Sequence, residues 1–334
     1  MAFLLNLALP LLALGALPLA PGTGERRPGP LGSSHGPAGD SLAAALFTYD
    51  PTRPLALHDS VIGTEDGVTV HAISFASPRG GWATGRLYVP PRAHEGERWA
   101  GVVYGHGTGQ GARAQGPKAV YLARHGAVVV VLDAPFVRRG GPALRFTPAD
   151  SVELAQLVVD QRRAVDLLLA RPDVDPARLA YVGHSYGGMV GALLSGAEPR
   201  LRTFVLSAPD AGLVAHMQSD AVLPPEYATL TDAGRARWTA ALAPFDAHRL
   251  VGRAAGAPIL FQHGRRDDTV TPAAAARLHA ATVTAHEVRW YEAGHRLAAA
   301  GYVDQLGWLA RHVGTAPPSA ADEAGPAFRA PTPG

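Results

Sequence analysis

Five short apolar runs constrain this chain more than any other feature: residues 101–104 (Gly-Val-Val-Tyr), 127–132, 179–182, 203–206 and 259–261 (Ile-Leu-Phe). A strand with one wet face alternates apolar and polar residues, whereas a strand apolar throughout is covered on both faces. Residues 288–291 read as one more strand. Helical patterns lie between the runs, at residues 119–124, 151–170, 189–194, 272–280 and 302–313. In the longest, Asp150-Ser151 reads as the N-cap and Pro172 closes the far end. Strands alternating with helices imply βαβ crossovers and a mostly parallel sheet with helices on both faces. Residues 69–75 and 83–89 alternate and are flanked by Gly and Pro, which suits an antiparallel hairpin near an edge. The expected architecture is a three-layer α/β sandwich with about eight strands.

At 334 residues and 47% hydrophobic, the chain can bury a large core, and a wholly disordered chain is excluded. Thirty Lys and Arg face 28 Asp and Glu, with no basic block, so nucleic-acid binding has no electrostatic support. There is no cysteine, which removes disulfides, thiol nucleophiles and Cys-based metal sites. Fourteen histidines are scattered without paired spacing, so no metal site is expected. No Walker-type loop exists, and residues 183–188 have the wrong glycine spacing for a dinucleotide fingerprint. No cofactor is expected.

Residues 1–20 are nearly all apolar, and small residues follow at Ala20 and Gly22. Residues 1–22 therefore resemble a secretory signal, with export as the implied destination. No Lys or Arg precedes the run, and Pro10 and Pro18 weaken a continuous spanning helix; an uncleaved anchor is the alternative. Membrane association is expected only through this stretch. Residues 23–40 read as a Gly/Pro-rich linker, 41–313 as one domain and 314–334 as a disordered tail. Residues 210–253 break the strand–helix alternation. They hold Leu213, Met217, Trp238, Leu242 and Phe245 at loosely helical spacing, and either pack as a helix and loop or form a small cap over a site.

Chemistry concentrates at Tyr181-Val182-Gly183-His184-Ser185-Tyr186-Gly187-Gly188, where an apolar strand enters Gly-x-Ser-x-Gly and leaves into a helix. A sharp strand-to-helix turn strains its central residue and requires small neighbours two positions away on each side. The turn lifts the Ser185 hydroxyl above the sheet and aims a helix N-terminus at it, making Ser185 a candidate nucleophile. A serine needs a base, and the base needs an orienting group. The segment from Phe261 to Pro272 puts Asp267 and Asp268 at a strand's C-terminal end, where open parallel sheets place ligands. Tyr291-Glu292-Ala293-Gly294-His295 offers an imidazole after the next strand. The Tyr186 N–H, following the nucleophile, is one oxyanion donor; the other should come from the loop 104–111.

With His106-Gly107-Thr108-Gly109, Gly183-His184-Ser185-Tyr186-Gly187-Gly188, His263-Gly264-Arg265-Arg266-Asp267-Asp268-Thr269-Val270 and Gly294-His295 in that order, residues 61–313 resemble the α/β-hydrolase superfamily. The likeness is to its dienelactone-hydrolase-like and prolyl-oligopeptidase-like members. It implies the α/β-hydrolase sandwich and a triad of Ser185, Asp267 and His295. The family pattern Gly-x-x-Asp-x-x-Val selects Asp267 over Asp268, for which a cap or turn role remains. By the same resemblance the second oxyanion donor is Thr108, with Gly107 as the alternative, and His106 braces the loop. His184 and His263 read as structural.

The activity implied is hydrolysis of a small-molecule carboxylic ester through an acyl-enzyme, with a prolyl-oligopeptidase-like peptidase or an acyltransferase as alternatives. A silent binding scaffold is disfavoured by the full triad, and carboxylate-nucleophile chemistry by Ser185. Arg138-Arg139 and Arg265-Arg266 follow strands at the same edge. They either attract an acidic substrate or pair with Asp133, Asp267 or Asp268.

Overall fold

The computed structural model of the protein describes residues 24–27, 37–91, 96–221 and 223–324. Their strands join in one ten-stranded sheet: β1 Gly24–Arg27, β2 His58–Glu65, β3 Val68–Ala76, β4 Trp82–Val89, β5 Trp99–Gly105, β6 Ala127–Leu132, β7 Val174–His184, β8 Thr203–Ser207, β9 Ile259–Gly264 and β10 His286–Tyr291. Their order is β1-β10-β9-β8-β7-β5-β6-β4-β3-β2. Six neighbouring strands, β6, β5, β7, β8, β9 and β10, run parallel to one another, and the antiparallel β3–β4 hairpin lies toward one edge.

Every residue of β6 is buried, as its uninterrupted apolar run requires. Because successive side chains point to opposite faces, Val128, Val130 and Leu132 enter one core while Ala127, Val129 and Val131 enter another. The helices Ala149–Leu169 and Tyr186–Leu194 pack into the first core, and Gly116–Arg124 and Ala299–Val313 into the second. Three layers result. Fully burying one such Val or Leu stabilises the fold by about 1.5–3 kcal/mol, so these two faces carry the sheet.

The sheet has two more strands than expected. β2 is exposed along its whole length, so neither face demands an apolar alternation, and its strand pairing is with β3. A register shift between Val61 and Gly63 interrupts that pairing, a device that blunts an exposed edge. β1 lies within the stretch read as linker and pairs antiparallel with β10. The helix Pro37–Phe47 starts before the domain boundary placed at residue 41, and Phe47 is fully buried.

The disordered tail is also corrected at its start. The Ala316 N–H donates to the His125 carbonyl at 2.8 Å, and His125 Nε2 meets Asp322 Oδ2 at 3.1 Å. A capping box between Ser319 and Asp322 opens the helix Ala320–Glu323. Residues 325–334 and the signal-like residues 1–22 lie outside the described residues, as does part of the 23–40 stretch. Among the described residues, no helix is long and apolar enough to cross a membrane.

Asp150 does not cap its helix. The helix begins at Ala149 after Pro148, without a side-chain cap bond. The buried Asp150 carboxylate instead accepts the N–H groups of Arg145 and Phe146 at 3.0 and 2.8 Å and that of the Trp238 indole at 2.9 Å. Trp238 belongs to residues 210–253, which fold into the helices Leu213–Met217, Pro225–Ala228 and Asp232–Leu242 and two short 3-10 turns. Trp238 also packs on Phe146 and Tyr227 with ring centroids 5.5 and 5.7 Å apart. This buried joint docks the segment on the sandwich.

Candidate active site

β7 ends at His184, and the next helix begins at Tyr186, leaving Ser185 alone at the turn with φ 57° and ψ −120°. A non-glycine residue there costs about 1–3 kcal/mol and persists only where its surroundings impose it. The surroundings are tight. A Cβ on Gly183 would run into the Gly187 carbonyl, and one on Gly187 into the Gly105 carbonyl at the end of β5. The Tyr181 hydroxyl donates to the same Gly187 carbonyl at 2.7 Å. The Ser185 N–H donates to Ser207 O of β8 at 2.8 Å, and its carbonyl accepts the Met189 N–H at 2.9 Å. Strand, neighbouring strand and helix together hold the strained residue.

Asp267 and His295 follow β9 and β10, which are parallel neighbours. Their loops are stitched together: the Arg265 N–H donates to Tyr291 O and the Arg266 N–H to Ala293 O, both at 2.9 Å. His295 Nε2 lies 2.8 Å from Ser185 Oγ, and Nδ1 lies 2.9 and 3.1 Å from the two Asp267 oxygens. The Asp267 side chain is fully buried, and its Oδ1 also accepts the N–H groups of Thr269 and Val270, each at 2.9 Å. An acceptor-only carboxylate fixes the proton on Nδ1 and leaves the Nε2 lone pair for the hydroxyl. The arrangement can therefore draw a proton from Ser185 and stabilise the imidazolium that forms.

Asp268 is exposed, its nearest described side-chain partner being Thr269 Oγ1 at 3.5 Å. The N-cap ahead of Pro272 is Thr271, not Asp268. The histidines read as structural take such positions. His106 Nδ1 donates to Gly107 O at 2.8 Å and Nε2 accepts the Ala134 N–H at 3.2 Å, which braces the loop bearing Thr108. Burial lowers its pKa. His184 Nε2 donates to the His295 carbonyl at 2.9 Å, beneath the His295 ring. Burial, with help from nearby Lys118, pushes His184 down to about 4, so it stays neutral while it anchors that loop. His263 is fully buried against His279.

Each of the four arginines meets a carboxylate, though not those expected. Arg138 pairs with buried Asp160 at 2.8 Å and Arg139 with Glu153 at 2.7 Å. Arg265 and Arg266 both reach Glu292, at 3.3 and 3.2 Å. The first two pairs are largely buried and structural, whereas Arg265 and Arg266 share one exposed carboxylate.

A cavity of about 190 Å³ opens over Ser185. Thr108 and Tyr186 line it beside the serine, and Met189, Leu144 and Val270 supply apolar wall. Asp210, Leu213, His216, Met217 and Pro224, from the stretch after β8, line it as well. His216 Nδ1 and Asp210 Oδ2 are 2.7 Å apart. Sequence reading passed over this pair, although Asp210 stands three residues past β8 at the edge where ligands collect. Among the described residues, no group of three or more His, Asp or Glu could hold a metal ion.

The fold is that of the α/β-hydrolase superfamily. Within it, the family model of the prolyl oligopeptidase family matches residues 117–314, more than half the chain. The chain belongs to that family and is a serine hydrolase. Solved structures agree on the fold. An acetyl xylan esterase from Paenibacillus sp. R4 superposes with a TM-score of 0.66 at 17% identity, covering 82% of this chain and 92% of that one. An S-formylglutathione hydrolase from Agrobacterium tumefaciens gives 0.55 at 20% identity, covering 76% and 100%. A puromycin-hydrolyzing peptidase of Mycobacterium tuberculosis gives 0.53 at 19%, covering 79% of this chain but 40% of that one. No curated protein sequence matches the chain significantly.

Proposed function

We propose that this protein hydrolyses small carboxylic esters through an acyl-enzyme on Ser185. The relay Ser185–His295–Asp267, with contacts of 2.8 and 2.9 Å, carries the reading. His295 takes the hydroxyl proton as Oγ attacks the carbonyl, and Asp267 steadies the imidazolium. The tetrahedral oxyanion is received by the Tyr186 N–H at the start of the elbow helix and by the Thr108 N–H from the loop after β5. His295 then protonates the departing alcohol, and water activated by the same imidazole releases the acid. No step calls on a cofactor or metal. A cavity near 190 Å³ suits short acyl groups, and the acetyl xylan esterase and S-formylglutathione hydrolase neighbours point the same way.

The test is a series of p-nitrophenyl esters from acetate to octanoate, with S185A as control. Wild type should release p-nitrophenol with a burst, most rapidly from short chains, and a fluorophosphonate should add to Ser185 by mass spectrometry. Equal rates for wild type and S185A would reject the proposal. Aminoacyl-arylamides cleaved as fast as esters would favour the peptidase reading that the family also supports. Residues 1–22 are read as an export signal; a mature N-terminus near Ala20 in envelope or medium fractions tests that assignment.

A further inference from the structure

A second imidazole–carboxylate pair faces the cavity above Ser185, and the proposed reaction does not use it. His216 lies on the short helix Leu213–Met217 and Asp210 just past β8, and both line the space that Ser185 and Tyr186 line. Asp210 Oδ1 accepts the Ala211 N–H at 2.6 Å, and Oδ2 is 2.7 Å from His216 Nδ1. With the Nδ1 proton directed at the carboxylate, the ring can offer the Nε2 lone pair to a donor. Among the described residues no group meets Nε2, and the side chain is 16% exposed. The pair cannot stand in for the relay, because Ser185 Oγ already faces His295 Nε2 at 2.8 Å.

We propose that His216, oriented by Asp210, is a specificity-determining residue that receives a hydroxyl group of the substrate, so that the enzyme favours hydroxylated esters over their deoxy analogues. The inference rests on the ester-hydrolase reading above. Leu213, Met217, Pro224, Met189, Leu144 and Val270 line the same cavity as His216. An apolar substrate seated there strips water from Nε2 and leaves the acceptor unpaired. A hydroxyl restores the bond, and sites built this way reject the analogue lacking the donor. An Nε2 lone pair accepts, so the group selected is a donor.

Two matched pairs of esters test it, followed by acid release at constant pH. Methyl 3-hydroxybutyrate against methyl butyrate places the hydroxyl on the acyl side, and 2-hydroxyethyl butyrate against propyl butyrate on the alcohol side. In wild type one pair should show about tenfold higher kcat/KM for the hydroxylated member, and that pair identifies the half of the substrate that meets His216. H216L should bring the ratio to about one, while H216Q, whose amide oxygen accepts from a similar place, should keep a preference. Because the readout is a ratio within one protein, a lower yield of active enzyme does not move it. If H216L does not fold, H216F supplies the measurement. A wild-type ratio of one in both pairs, or a ratio unchanged in the apolar variant, overturns the inference while leaving ester hydrolysis standing. Failure to turn over any of the four esters, with no fluorophosphonate adduct on Ser185, overturns both.

Discussion

Two histidines, one in the relay and one in the cavity wall, are each held through Nδ1 by an aspartate, yet they differ in what Nε2 meets. His295 presents Nε2 to Ser185 Oγ, whereas among the described residues no group meets that of His216. Their supports differ too. Asp267 is fully buried and takes two further backbone N–H groups, on a loop stitched to the His295 loop. Asp210 takes one, from the adjacent residue, and its histidine rides on a helix of five residues. An imidazole–carboxylate pair is thus an orienting device, and the third partner decides whether it moves a proton or selects a substrate.

The sharpest attempt to break this contrast is to remove the serine or the relay histidine. S185A and H295A should each lower kcat by about 10⁶, measured on p-nitrophenyl acetate with active-site titration. Should H216A cost as much, the division of roles would be wrong. Next, D267N should lower kcat by about 10⁴ by releasing the His295 tautomer, whereas the exposed D268N should stay within about twofold of wild type. Equal losses would mean that the acid is misassigned.

A third imidazole sharpens the comparison through stability. Burial holds His184 near 4 against 6.5 for the free group, so between those values the unfolded chain takes up a proton that the native protein refuses. Stability rises as pH climbs through that window and is lost as pH falls from about 6.5 toward 4. In H184Q the urea midpoint should therefore drop less between pH 7 and pH 5 than in wild type. An identical drop would place the acid sensitivity elsewhere. The smallest effect expected is W238F, which removes the indole bond to buried Asp150. It should cost about 1–2 kcal/mol of unfolding free energy, read from urea titration, with kcat on p-nitrophenyl acetate little changed.

Legibility along the chain followed burial. Strands such as β6, covered on both faces, could be read because water is excluded from every position. The relay could be read because its members sit in loops whose spacing the turn geometry restricts, as at Gly183 and Gly187. β2 has no inward face and left no alternation to find. The helix Pro37–Phe47 followed a Gly/Pro-rich stretch that masked it, and residues 314–324 owe their order to tertiary partners such as His125. The arginine pairs were placed at the correct edge, but their partners Asp160, Glu153 and Glu292 could be known only from packing. The Asp210–His216 pair joins residues six apart across a glycine turn, a separation that no helix or strand period singles out.

The crossing at Gly105, Gly183 and Gly187 has a consequence for how such a protein can change. The backbone hydrogen bonds that seat the nucleophile come from Ser207 and Met189, on the sandwich side of the cavity. The wall that would choose the substrate belongs to a separately docked stretch of chain. Random drift should therefore redraw the preferences of the enzyme long before it disturbs the attacking oxygen. Grafting a foreign loop between residues 213 and 242 is the natural way to retune it.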